Sequence, residues 1–156
     1  SIPGQLKALL DHFGSRWIVH QPSPKMLGKQ ALIINQAVGA GFRSTLIPLK
    51  HSMRFWGIKR IYHIKARLGM TDYDLVDQKA KAKLNRQIER TIRKIMSKQQ
   101  DVSPGLFAKL LYRAMAFGQK GIHKMLQKKD QPATSDYLFW QKEGWLDGHF
   151  PWKGKA

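Results

Sequence analysis

The sequence predicts an α/β fold with parallel strands in a doubly wound arrangement. Three observations carry that expectation. A short apolar run at 29–38 lacks the polar alternation of a half-exposed strand, and a second run at 58–64 is rich in β-branched and aromatic residues. A Gly-Ala-Gly turn comes directly after the first run, and helical spacing of apolar residues fills the stretch between the runs and most of the chain beyond them. Strands alternating with helices in this way favour a parallel sheet covered by helices.

From the N-terminus, Pro3 suits a first helical position, where its missing N–H costs nothing, and Leu6, Leu9, Leu10 and Phe13 recur at helical spacing until Gly14 and Ser15 end the helix. Pro22, Pro24 and Gly28 oppose regular structure in the next connection. The run 29–38 reads as a strand buried on both faces, and 42–55 as a helix in which Pro48 is tolerable only near the start or at a kink. The run 58–64 is rich in β-branched and aromatic residues and reads as the second strand. Thr71 or Asp72 is the expected cap of a long helix reaching about Lys98, with Leu84, Ile88, Ile92 and Ile95 as its buried stripe. Ser103-Pro104 should start another helix, with a broad apolar face of Phe107, Leu110, Leu111, Met115, Ile122 and Met125. A short aromatic segment begins at Ser135-Asp136. Two strands are too few for a stable parallel sheet, so the expectation is the second half of a doubly wound domain, lacking its first strands.

Composition narrows the class. The chain has 156 residues, suiting one domain, and its 42% hydrophobic content with five Trp and seven Phe excludes a disordered chain. The absence of cysteine excludes disulfides, thiolate metal sites and cysteine nucleophiles. No apolar run approaches the roughly 18–20 residues needed to cross a bilayer, and no basic and apolar leader opens the chain, so a cytoplasmic protein is expected. Lys and Arg number 28 against 10 Asp and Glu, a net charge of +18. Such a charge attracts nucleic acid, anionic lipid and phosphate-bearing ligands alike. Fourteen of the basic residues lie within 79–129 against Glu89 and Asp101 alone, and Lys79, Lys83, Arg86, Arg90 and Arg93 share one helical face. That face is either a solvated surface or a contact for an anionic membrane or nucleic acid.

Candidate chemistry centres on two turns. Ligands of open α/β sheets bind outside the carboxyl ends of the strands. Gly39 and Gly41, without Cβ atoms, let backbone N–H groups approach a planar or anionic ligand. The triplet lacks the third glycine and later acid of a dinucleotide fingerprint. The six histidines show no ligand spacing, and His12 alone is placed near the candidate turns.

The stretch Ser1-Ile2-Pro3-Gly4-Gln5-Leu6-Lys7-Ala8-Leu9-Leu10-Asp11 resembles the Pro-x-x-Leu-Lys-x-x-x-Asp segment of flavodoxin-like NAD(P)H-dependent oxidoreductases, the group of FMN reductases, quinone reductases and azoreductases. Gly28-Lys29-Gln30-Ala31-Leu32-Ile33-Ile34 with Ala37-Val38-Gly39-Ala40-Gly41 is similar to the next strand and turn of that group, and the tail from Asp136 to Leu146 is similar to some of its C-terminal extensions. The resemblance implies a flavodoxin-like doubly wound sheet over 1–98, with a helical, basic and aromatic extension over 99–156. It implies FMN as cofactor and NAD(P)H as hydride donor to the flavin, with electrons passing to a small-molecule acceptor such as a quinone, azo or nitro compound. Ser1, Ile2, Pro3 and Gly4 and the turn of Ala37, Val38, Gly39, Ala40 and Gly41 would then border the isoalloxazine ring. No catalytic acid or base is implied, because the flavin carries the redox chemistry. The family's phosphate loop comes after a first strand that has no counterpart here. Six aromatics within 137–152 either wall the flavin pocket of a partner subunit in a homodimer or anchor the extension to its own domain. The alternative to an oxidoreductase is a polyanion-binding module without catalysis. On either reading, peripheral contact with a membrane is compatible with the basic helices.

Overall fold

A computed structural model describes residues 2–37, 41–101 and 103–153. Strands β1 (Gln30–Ala37) and β2 (Arg60–Arg67) pair in parallel, from Gln30 opposite Arg60 to Ala37 opposite Arg67. Helix α1 (Gly4–His12) precedes β1, and α2 (Phe42–Phe55) joins the two strands. Helices α3 (Gln78–Ser97), α4 (Leu106–Gln127) and α5 (Ser135–Lys142) complete the order. The α/β class and the parallel pair agree with the sequence, and among the described residues the sheet has two strands. No helix among the described residues is long and apolar enough to cross a membrane.

Alternation of side chains splits β1. Ile33 is buried among Leu10 of α1 and Leu49 of α2, with Ile2, Leu6, Leu46, Met53, Trp56 and Ile61 packed around them. On the opposite face Leu32 is 37% and Ile34 65% exposed. The expectation of a strand buried on both faces is therefore corrected. Helix α3 lies over β2, burying Ile64 and Ala66, and reaches only the start of β1, where Gln30 donates to the Ile95 carbonyl.

Two expected helix starts shift inward, each for a local reason. Asp72 does not cap α3, since its carboxylate accepts the Asp74 N–H in a tight turn; Asp77 does, accepting the Ala80 N–H at 3.1 Å. Ser103 is held by the Asp101 carboxylate, so α4 begins after Gly105. Helix α5 begins at Ser135, as expected, with the Thr134 hydroxyl as its cap, accepting the Tyr137 N–H. The stripe of α3 also changes. Thr91 is buried, its hydroxyl satisfied by the Gln87 carbonyl, while Ile92 is half exposed.

A second core ties the extension to the rest. Tyr112 of α4 is fully buried and its ring lies 5.2 Å from Trp145, 5.3 Å from Trp152, 5.4 Å from Trp140 and 6.3 Å from Phe150. Ile18 and Leu27, from the connection before β1, complete this cluster, and Trp140 donates its indole N–H to the His20 carbonyl. The tail aromatics thus anchor the extension to its own chain. Asp101 adds a polar tie by accepting from Lys59 and Arg60 at the start of β2, and hydrogen bonds from Ser103 and these cations hold its carboxyl well below the usual carboxylate range.

The Tyr112 hydroxyl has no hydrogen-bond partner among the described residues, and burial pushes its phenol upward, with Glu143 adding in the same direction. Removing the hydroxyl alone should therefore cost little, whereas removing the ring opens a cavity. Tyr112→Phe is expected to hold stability within about 1 kcal/mol of the parent. Tyr112→Ala is expected to lose about 3–5 kcal/mol, as large aromatic truncations in cores do. Urea unfolding midpoints read both. A costly Tyr112→Phe would show that the hydroxyl is bonded in solution.

Candidate functional site

Chain direction brings two helix starts to one edge. Helix α2 leaves the carboxyl end of β1, so its N-terminus lies there. At its other end Trp56 stacks edge-on to Phe13 and donates to the Phe13 carbonyl at 3.1 Å. Phe13 caps the C-terminus of α1, so α1 and α2 run the same way and the N-terminus of α1 also lies toward the carboxyl edge of β1. Among the described residues neither helix has a side-chain cap, which leaves backbone N–H groups and the positive ends of two helix dipoles at that edge.

Of the residues expected to line a ligand, Pro3, Gly4 and Gly41 are exposed and Ala37 is half-buried. Ile2 packs into the core against α1, α2 and β1. Ser1, Val38, Gly39 and Ala40 lie outside the described residues. Gly41 caps α2 with φ +99°, a left-handed conformation that side chains disfavour, and a Cβ built there meets nothing within 4 Å. The space beside Gly41 is thus open. His12 is removed from the edge: it ends α1, about 12 Å along the axis from Gly4 at 1.5 Å per residue.

A polar relay behind the turn was not legible in the sequence. His63 of β2 pairs with the Asn35 side chain at 2.5 Å, and Asn35 donates to the Thr45 hydroxyl at 3.1 Å. Thr45 donates in turn to the Gly41 carbonyl at 3.1 Å, and Ser44 does so at 2.8 Å. Two strands and a helix therefore fix the carbonyl of the turn glycine. At the end of β2, opposite Ala37, the Arg67 guanidinium lies over the Phe42 ring at 5.6 Å and adds a cation to this edge. The apolar run that marks β2 ends at Ile64, so periodicity carries no signal for Arg67.

The arrangement can hold the polar rim of a flat ring or an anion through backbone N–H groups, helix dipoles and Arg67. Among the described residues no group of histidines and carboxylates could hold a metal ion. An apolar groove of about 570 Å³, lined by Leu9, Phe13, Arg16, Ser23, Met26 and Trp56, lies at the opposite ends of α1 and α2 and does not coincide with the turn. Comparison with family models, curated proteins and solved structures returns no match for this chain.

Burial lowers the pKa of His63, and the charges of Lys65 and Lys50 push it the same way. A depressed folded-state value means that the unfolded chain binds the proton more readily. The contribution is then present above about 6.5 and is lost as pH falls through the folded-state pKa. Unfolding midpoints measured from about pH 7.5 down to about pH 5 should decline, and His63→Gln should flatten that decline. An equally steep decline in His63→Gln would remove His63 as its source.

Proposed function

We propose that this chain carries the ring-binding edge of an FMN-dependent oxidoreductase, with NAD(P)H as hydride donor and a quinone, azo, nitro or flavin compound as acceptor. The observation that carries the reading is the convergence of two uncapped helix N-termini on a positive-φ glycine turn at the carboxyl end of a parallel strand. The finer fold belongs to the same proposal: a doubly wound, flavodoxin-like sheet continuing beyond β1. Exposed Leu32 and Ile34 support it, as does the placement of α1 and α2 on one face of β1. A right-handed crossover through α1 sets a further parallel strand on the free side of β1.

Pro3, Gly4, Ala37 and Gly41 are the described residues that would border the ring, with Arg67 near its polar rim. Bound FMN would supply the two-electron chemistry; this chain's residues bind and orient it and contribute no acid or base. His63, held toward its neutral form, positions the turn through Asn35 and Thr45. The second reading, polyanion binding, has one observation in its favour: Lys79, Lys83, Arg86, Arg90 and Arg93 are all exposed on α3.

Purified protein incubated with FMN and desalted is expected to retain the visible absorbance of bound flavin. Gly41→Ala forces an L-residue into the left-handed region, at about 1–2 kcal/mol, and is expected to weaken flavin fluorescence quenching about tenfold with unchanged helix content. Colourless, folded protein sinks the oxidoreductase reading. Steep loss of DNA or vesicle binding with salt would instead favour the second.

A further inference from the structure

Helix α4 has two apolar faces, and the fold consumes one of them. Ala108, Tyr112, Ala116 and Gln119 form the buried face, against the tail and the 18–27 connection. On the other side Leu106, Leu110, Phe117 and Met125 are 71%, 53%, 83% and 51% exposed. Their spacings of four, seven and eight residues keep them on one side of the helix, and Ala114 and Gly121 between them do not interrupt the stripe. It runs about 28 Å along the axis at 1.5 Å per residue. Lys109, Arg113, Lys120 and Lys124 stand along one edge, and α4 contains no acidic residue. Of these cations, Lys120 lies 3.5 Å from Asp147, a pair in which both side chains are more than half exposed.

Charge decides the occupant. A second copy seated on the stripe would bring two such basic edges together on chains of charge +18 each. Nucleic acid would answer the cations but leave Leu106, Leu110 and Met125 against a polar backbone. A bilayer with anionic headgroups answers both: the apolar side chains enter the headgroup–acyl boundary, and the Lys and Arg stems lie along it with their charges among phosphates. We propose that α4 is an interfacial helix, which seats its outward stripe in the surface of a bilayer containing anionic phospholipid. The proposal rests on the basic-surface reading, narrowed to one partner, and is independent of flavin binding.

Sedimentation with phosphatidylglycerol–phosphatidylcholine vesicles tests it, against phosphatidylcholine alone. The full chain is expected to bind the anionic vesicles, with affinity falling as salt rises. Phe117→Glu should cut that binding at least about tenfold while thermal melting stays unchanged, because the position is exposed. The chain has no cysteine, so Phe117→Cys offers a single labelling position whose environment-sensitive dye should shift to the blue on anionic vesicles. Equal binding by Phe117→Glu overturns the proposal but leaves the basic-surface reading standing. No binding to anionic vesicles overturns it as well. Self-association abolished by Phe117→Glu reassigns the stripe to a second copy. Binding to a DNA duplex that is tighter than vesicle binding, and indifferent to Phe117→Glu, assigns the basic edge to nucleic acid.

Discussion

Burial of Tyr112 inside four aromatic rings is the constraint on which much of this structure depends. The ring sits about a third of the way along α4, and fixing it fixes the rotation of the helix about its axis. With that rotation set, Ala108, Ala116 and Gln119 must point inward and Leu110 and Phe117 outward. The same cluster draws in Ile18 and Leu27, and Leu27 leaves no room at Gly57, where a Cβ would lie 2.7 Å from its methyl carbon. Gly57 has φ +93°, so backbone conformation and packing both call for glycine where α2 turns into β2. An aromatic core in the extension thus reaches back to the geometry of the βαβ unit.

One face of the parallel pair is covered along both strands, and the other only where α3 lies over β2. Ile33, Leu10 and Leu49 supply the apolar contact, and the His63–Asn35–Thr45 relay supplies the polar one. Because Asn35 and His63 sit on neighbouring strands, the relay locks strand pairing and the position of the α2 N-terminus together. The opposite face of β1 has no such support, and Ile34 is mostly exposed there. A parallel strand is ordinarily buried on both faces, so this asymmetry is a local departure from what its apolar sequence predisposes.

What was legible in the sequence was the periodicity: two apolar runs, a glycine turn and helical spacing place β1, α2, β2 and the later helices. What was illegible required a partner. Ile92 and Thr91 are adjacent on α3, and only the approach of the helix to β2 decides which turns inward. The apolar residues of α4 form so broad a face that spacing alone cannot separate Leu111, half-buried, from Leu110, exposed. Asn35 and His63 are 28 residues apart and meet through strand register. The expected cap of α3 is Thr71 or Asp72, but the Asp72 carboxylate is taken up in a tight turn with the Asp74 N–H, and the helix begins five residues later under Asp77.

The two proposed surfaces lie apart on the molecule. Phe55, at the last position of α2, meets Phe107 at the start of α4, with ring centroids 5.8 Å apart. The glycine turn precedes the other end of α2, about 21 Å away for a helix of 14 residues. A bilayer held by the outward stripe of α4 therefore engages the molecule through an element joined to the far end of α2. The backbone N–H groups at Gly4 and Phe42 take no part in that contact. The proposed ring binding at the turn and the proposed lipid binding at α4 place independent demands on the sequence: open backbone at one, and apolar side chains beside a cationic row at the other.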